Sequence, residues 1–334
     1  MAFPTGQFRG GIAPSTGTLY GAWEGELWTV NGSGEVTLFS SNLAGTGFVH
    51  FGRNNASVPN TAVVTSAGAL IIDTTTNTVT AYPDADVGSP SCMCGYLGYL
   101  FFGYGDGTLR STNYNTTDIN SLNQANTASN PDGILNVFGY AGQLYAMGDA
   151  TVEIWGEPIN ATGFPLSRVG FNILPGIIGP HAVAGWEPEF GNPPIWVGSD
   201  GTVRQLQGYQ AAKISNADID RDINRVGFLD RPSINALCYI SGGHAFWQMN
   251  LPTKSWVYHV NEGTWHERTS QYSTRSRLEK SVFFGNKWLV GDTDSANLDY
   301  IDIDSDTEVG AEISAQMISG PLKEFPRRPV SYTH

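Results

Sequence analysis

Two histidines and two glutamates crowd one short stretch, Trp256 to Thr269, which reads Trp-Val-Tyr-His-Val-Asn-Glu-Gly-Thr-Trp-His-Glu-Arg-Thr. His259, Glu262, His266 and Glu267 are residue types that hold metals or move protons. Their spacing fits no zinc signature. Trp256 to Val260 alternates large and smaller side chains at period two, rich in aromatic and β-branched residues. Asn261-Glu262-Gly263 signals a tight turn, and Thr264 to Thr269 returns. The stretch is therefore expected to be an antiparallel hairpin with His259 and His266 on opposite strands. Aromatic packing and cross-strand hydrogen bonding is the reading these residues carry.

Asp302, Asp304 and Asp306 recur at alternate positions. On a strand they would line one face, a weak candidate for a cation site. A calcium loop needs glycine at its sixth position and an acid at its twelfth, where this chain has Thr307 and Ile313. A solvated acidic edge is the stronger reading. The three cysteines, Cys92, Cys94 and Cys238, are odd in number and argue against a disulfide framework. Cys92 and Cys94 stand two apart in an expected strand, both facing one side, as small buried apolar residues. No Gly-x-Ser-x-Gly elbow, phosphate loop or dinucleotide fingerprint is present. The residues thus single out no catalytic group, no cofactor and no metal beyond the aspartate candidate. Scattered carboxylates leave a propeller glycosidase open, because no local pattern marks one.

Positioning elements come next. The chain has 334 residues, with 40% hydrophobic and 12% aromatic content, enough for one large all-β domain. Only 15% of residues are charged, and 40 glycines join many Thr, Ser and Asn, a composition of β-structure with many turns. The net charge is −13, a poor balance for gripping phosphates but suited to a passage through which DNA slides without sticking. No basic segment precedes an apolar run, and no stretch is long enough to span a membrane. Synthesis in a cytoplasm without an export signal is expected.

A repeated unit recurs about seven times at a spacing of roughly 35–50 residues. Each has three or four short strands joined by Gly, Asn and Asp turns. One phrase returns in several units: Gly98-Tyr-Leu-Phe-Phe, Gly142-Gln-Leu-Tyr, Gly243-His-Ala-Phe-Trp and Gly285-Asn-Lys-Trp-Leu. A small twisted sheet cannot bury both faces alone, and packing such sheets around an axis does so. The expected fold is all-β: a β-propeller, most simply of seven blades (six or eight if terminal strands share a blade), with one short helix and long loops. Trp155, Trp196, Trp256, Trp265 and Trp288 are its expected packing anchors.

Residues 1–15 are expected as an N-terminal arm, 16–310 as the propeller and 311–334 as an extended tail. Within the propeller, Thr112 to Gly133 reads as a long exposed loop and Ile159 to Pro180 as a packed linker. Ile219, Ile223 and Val226 stand at helical spacing behind Ser215-Asn216, the one expected helix.

Several phrases, in order, resemble the podovirus packaged-DNA stabilisation family, the tail hub or nozzle proteins. They are Ala150-Thr-Val-Glu-Ile-Trp-Gly, Gly163-Phe-Pro-Leu-Ser-Arg-Val, Ile195-Trp-Val-Gly-Ser-Asp-Gly-Thr-Val, Gly208-Tyr-Gln-Ala-Ala-Lys-Ile-Ser, the Trp256 hairpin and Trp288-Leu-Val-Gly-Asp. The resemblance covers Gly139 to Asp304 well and the earlier repeats more loosely. Family members carry a longer N-terminal entry and further sequence past the propeller, so a reduced hub is expected. The resemblance implies a non-enzymatic virion protein. It would form a homohexameric ring below the portal and adaptor of a short-tailed phage. That ring would continue the DNA channel, help retain and eject packaged DNA without sequence-specific binding, and carry tail fibres or spikes. The alternatives are a glycan-cleaving tail component, which would gather Asp, Glu, Arg and Tyr at one mouth of the axis, and a glycan- or receptor-binding module using loops such as Thr112 to Gly133.

Overall fold

The computed structural model describes residues 3–15, 17–127, 132–157, 163–302 and 304–313. Most of the expected tail therefore lies outside the described residues. The strands fall into six four-stranded sheets, one three-stranded sheet and a terminal hairpin, and the seven larger sheets are the blades. The first is β1 (Phe8–Ser15), β2 (Thr18–Trp23), β3 (Glu26–Asn31) and β4 (Val36–Ser40). The second is β5 (His50–Arg53), β6 (Thr61–Thr65), β7 (Gly68–Asp73) and β8 (Thr78–Ala81). The third is β9 (Cys92–Tyr96), β10 (Tyr99–Gly103), β11 (Thr108–Thr112) and β12 (Ile119–Asn126). The fourth is β13 (Ile134–Tyr140), β14 (Gln143–Gly148), β15 (Val152–Gly156) and β16 (Ser167–Ile173). The fifth is β17 (Val183–Ala184), β18 (Ile195–Val197), β19 (Val203–Gln207) and β20 (Gln210–Lys213). The sixth is β21 (Asn235–Ser241), β22 (His244–Asn250), β23 (Ser255–His259) and β24 (Thr264–Arg268). The seventh is β25 (Leu278–Phe284), β26 (Lys287–Asp292) and β27 (Leu298–Tyr300), and β28 (Thr307–Glu308) pairs with β29 (Ala311–Glu312) beyond it.

Within each blade the strands are antiparallel and ordered as in the chain, so each blade is a simple meander. The first strands contact one another around an axis: β1 with β5, β5 with β9, β9 with β13, β17 with β21, β21 with β25, and β25 with β1. The repeated phrase is the entry to the second strand. Its glycine lies in a two-residue turn in which both residues take positive φ: it closes the turn at Leu97 and Gly98 (50° and 83°), Ala141 and Gly142 (48° and 79°) and Gly242 and Gly243 (58° and 81°), and opens it at Gly285 and Asn286 (58° and 63°). That geometry matches the twist of the flanking strands. The strand that follows is buried, as Leu100, Phe101 and Phe102 are in β10.

Ring closure takes the expected seven-blade form and not the shared terminal blade of the six- or eight-blade alternatives. The chain's first strand stays in the first blade, and side chains join it to the seventh. Phe8 is fully buried with Trp23, Trp28, Val282 and Phe284, and Trp23 Nε1 donates to the Ala296 carbonyl at 2.9 Å. Gln7 also donates to Glu279.

Three expected non-strand segments are strands. Phe8–Ser15, expected as an arm, is the innermost strand β1. Its Gly10, Gly11 and Pro14 hide any alternation, and the glycines are there for close approach: a Cβ on Gly11 would lie 3.0 Å from the Tyr20 carbonyl. Ile119–Asn126, expected within a loop, is the outermost strand of the third blade, pairing with β11. It is polar because its far side meets solvent, so pairing and not burial holds it. Ser167–Ile173, expected within a linker, is likewise the outer strand of the fourth blade. The helix α1 (Ala217–Asn224) forms as expected, with Asn216 accepting from the amides of Asp218 and Ile219 and with Ile219 and Ile223 buried.

Candidate functional site

The first strands enter the axis at one end and leave it at the other, and each end opens into a cavity. The exit-side cavity holds about 850 Å³ and the entry-side cavity about 620 Å³. His50 and His181 line both, so they form the constriction between them. Their rings stack at 4.6 Å between centroids, 24° apart, and the Phe48 ring meets His181 edge-on at 5.3 Å. The propeller axis is thus plugged by aromatic rings and is no passage for a duplex.

Lys280 completes this plug. The pairing of β25 with β26 shifts between Glu279 and Ser281, leaving Lys280 in a bulge at φ 50°. Its ammonium lies 4.8 Å from the Phe48 ring centroid. Burial lowers its pKa to about 8, although Glu187 and Glu279 favour the charged form. Burial, with Lys280 adding repulsion, lowers His50 to about 3 and His181 well below its ordinary value. Glu187 faces the same cavity and is raised by burial; its Oε2 accepts from the Gly185 amide at 2.8 Å and the Cys238 thiol at 3.3 Å. Apart from Cys238, none of these residues stood out in the sequence. They are scattered over three repeats, and only a Lys or His at an inner-strand position, repeat by repeat, would have flagged them.

The entry mouth gathers Arg9, Glu24, Arg275 and Glu279, part of the arrangement a glycan-cleaving propeller would need, but no tyrosine lines it. Its carboxylates are engaged. Glu279 accepts from Gln7 and Arg275 on separate oxygens. Glu24 accepts from the Gln7 amide, and Arg9 donates to the Gly47 and Glu24 carbonyls. The exit mouth gathers a fuller set, Arg53, Tyr96, Tyr140, Glu187 and Glu189, of which Glu187 is held by the Gly185 amide and the Cys238 thiol.

The residues that sequence singled out lie elsewhere. The hairpin forms as β23 and β24, with Tyr258 opposite Trp265 and Val257 opposite His266. His259 stacks on Phe246 at 4.8 Å, and its Nε2 meets His244 Nδ1 at 2.9 Å. Glu262 stands 3.4 Å from its other ring nitrogen, exposed to solvent. His266, lowered by burial and then by Arg268 and His259, meets Phe246 edge-on. Glu267 pairs with Lys254 at 3.4 Å. The group is packed aromatics on a blade's outer face.

Asp302, Asp304 and Asp306 are exposed and do not line a strand face, since Asp302 caps a turn by accepting from the Asp304 amide. Among the described residues no three His, Cys, Asp or Glu side chains converge to hold a metal. Cys92, Cys94 and Cys238 are buried and unbridged, and burial drives the Cys92 thiol up to about 12. Of the expected anchors, Trp155, Trp196 and Trp288 are buried. Trp256 and Trp265 are only half-buried: Trp256 Nε1 donates to Asp222 at 3.2 Å and Trp265 Nε1 to the Ile214 carbonyl at 2.9 Å. Trp23 and Trp247 are the more deeply buried anchors and went unnoticed.

A third feature is apolar. Leu174, Phe228, Leu229 and Tyr272 are 65%, 81%, 89% and 98% exposed. All sit in linkers that carry the chain from the outer strand of one blade to the first strand of the next, between the fourth and seventh blades. They therefore share the entry face.

A family model described as phage stabilisation, bacteriophage P22 Gp10, β-propeller, matches residues 3–306. No curated protein matches the sequence. Among solved structures, virginiamycin B lyase from Staphylococcus aureus is similar at TM-score 0.55 and 11% identity, with 86% of this chain and 94% of that one covered. The WD40 β-propeller domain of Doa1 is similar at TM-score 0.51 and 10% identity, covering 88% and 92%. PorZ, of the type-IX secretion system of Porphyromonas gingivalis, is similar at TM-score 0.50 and 12% identity; 92% of this chain covers 39% of that one. At such identities the likenesses carry the fold alone.

Proposed function

The chain belongs to the bacteriophage P22 Gp10 β-propeller family, and from that membership we propose that it is a structural component of a short-tailed phage tail. In this reading it forms the hub or nozzle, a homohexameric ring below the portal and adaptor. The ring continues the DNA channel, helps retain and eject packaged DNA, and carries fibres or spikes. The observation that carries the reading is the family match across all seven blades. The plugged axis supports it, because a duplex must then run between copies of the chain and not through one. The net charge of −13 supports it too, since an acidic wall repels phosphates and lets DNA slide. So do the exposed apolar groups of the entry face, which suit contact with a neighbouring protein. No catalysis enters this reading. The tied carboxylates of the entry mouth weigh against glycan cleavage at that end alone; the exit mouth, with Arg53, Glu187, Glu189 and two tyrosines, is where the alternative would act.

Negative-stain microscopy of the purified protein and of the virion tests it. A six-fold ring at the tail, its inner wall rich in acidic groups, is the expected result. Isolated monomers that hydrolyse glycans would overturn it, and a basic inner wall would remove the sliding argument.

A further inference from the structure

We propose that Lys280, His50 and His181 form a binding site for a small organic carboxylate on the propeller axis, reached through the exit-side cavity. Lys280 sits in a bulge with a left-handed backbone that a lysine rarely adopts, so the surrounding fold holds it there against strain. Among the described residues its ammonium makes no ion pair or hydrogen bond. Of the two nearby carboxylates, Glu279 takes Gln7 and Arg275 on separate oxygens, and Glu187 takes the Gly185 amide and the Cys238 thiol on Oε2; both favour the charged ammonium by charge alone. Beside it, His50 Nε2 is buried without a partner. A buried ring nitrogen left unmet is costly, and the unpaired Lys280 ammonium beside it adds a positive charge at the same constriction.

A carboxylate fits that demand. One oxygen takes an ammonium proton and the other an imidazole N–H, and a single negative charge balances Lys280. A phosphate dianion would place a second charge near Glu187, and a metal cation would meet Lys280. The cavity above has a size usual for small ligands, about 850 Å³. Its wall includes Phe138 stacked on Trp186 at 5.0 Å, an apolar surface for the organic remainder.

Protons should follow the ligand. Both imidazoles are neutral in the empty site, held so by burial and by Lys280. Beside them are Lys280 on β25 and Glu187 beyond β17. Arg53 on β5, Cys94 and Tyr96 on β9, Tyr140 on β13 and Glu189 line the exit side, and Arg9 on β1, Glu24, Arg275 and Glu279 the entry side. A carboxylate arriving among these favours the charged form of Lys280, whose pKa burial lowers to about 8, so binding takes up a proton and tightens as pH falls.

The test is calorimetric titration of the full chain with benzoate and glucuronate, against benzyl alcohol, glucose and inorganic phosphate. Expected are saturable heats for the two carboxylates alone, varying with buffer ionisation enthalpy in the sense of proton uptake. Affinity should rise as pH falls towards about 8. Lys280→Met should weaken binding at least about tenfold. His50→Phe keeps the ring stack and should weaken it several-fold; it carries the test if Lys280→Met does not fold. Equal heats from the neutral compounds, preference for phosphate, or unchanged affinity in a folded variant would each overturn the proposal.

Discussion

At Trp265 a family phrase and a packing role coincide. The indole donates to the Ile214 carbonyl and packs on Tyr258 at 4.9 Å and Trp247 at 6.2 Å. It ties the sixth blade's outer strand to the linker carrying α1. Trp265→Ala should destabilise by about 3 kcal/mol, the low end for such truncations because the ring is half-exposed. His266→Ala should cost under about 1 kcal/mol. Urea unfolding of both variants checks the order; a larger loss at His266 would restore a special role for that histidine. The Arg277–Asp292 pair is the second residue-scale case. Burial opposes the charged form of Asp292. Bonds from Arg277 at 2.6 Å, from Ser295 and from the Asp294 amide outweigh it and hold the carboxyl below its ordinary value. A depressed folded value means stability that is present at neutral pH and lost as pH falls through that value. Asp292→Asn should cost about 3 kcal/mol at neutral pH, by stranding Arg277, and should flatten the acid limb of the stability curve.

Elements are governed by two sequence features of opposite visibility. Turn chemistry was plain: the glycine phrases mark second strands wherever they occur. Close approach between first strands was not. A Cβ on Gly95 would lie 1.9 Å from the Arg53 carbonyl, so β9 can sit against β5 only with glycine there. Gly95→Ala should destabilise by about 3 kcal/mol or prevent folding, read as a lowered melting temperature or loss of soluble protein. The helix is a milder case. Asn216→Ala removes the bonds to the Asp218 and Ile219 amides and should cost about 1 kcal/mol. A cost near zero would mean that burial of Ile219 and Ile223 alone holds α1.

For the whole molecule, closure joins the two ends of the propeller, and side chains carry it. Since no strand is shared between first and seventh blades, the seam depends on Phe8, the Trp23 indole bond and the close fit of Phe8 over Gly291. Phe8→Ala should cost about 4 kcal/mol. It should also expose the first and seventh blades to hydrogen exchange before the fourth and fifth. Uniform exchange across the blades would show that closure is no weaker than the other seams.

The sequence determined the repeat, the α1 helix and the hairpin, because those depend on local rules: period-two patterning, turn glycines, a cap; it favoured seven blades, and closure of the ring decided the number. It also determined the family, through ordered phrases. Tertiary structure decided what has no local signature. β1 and the outer strands β12 and β16 are strands only because a neighbour pairs with them. Trp256 and Trp265 are half-buried because their blade face opens to solvent. His50, His181 and Lys280 lie far apart along the chain and meet only because a closed ring brings its first strands to one axis. There, removal from water sets their charge states in a way that residue type cannot.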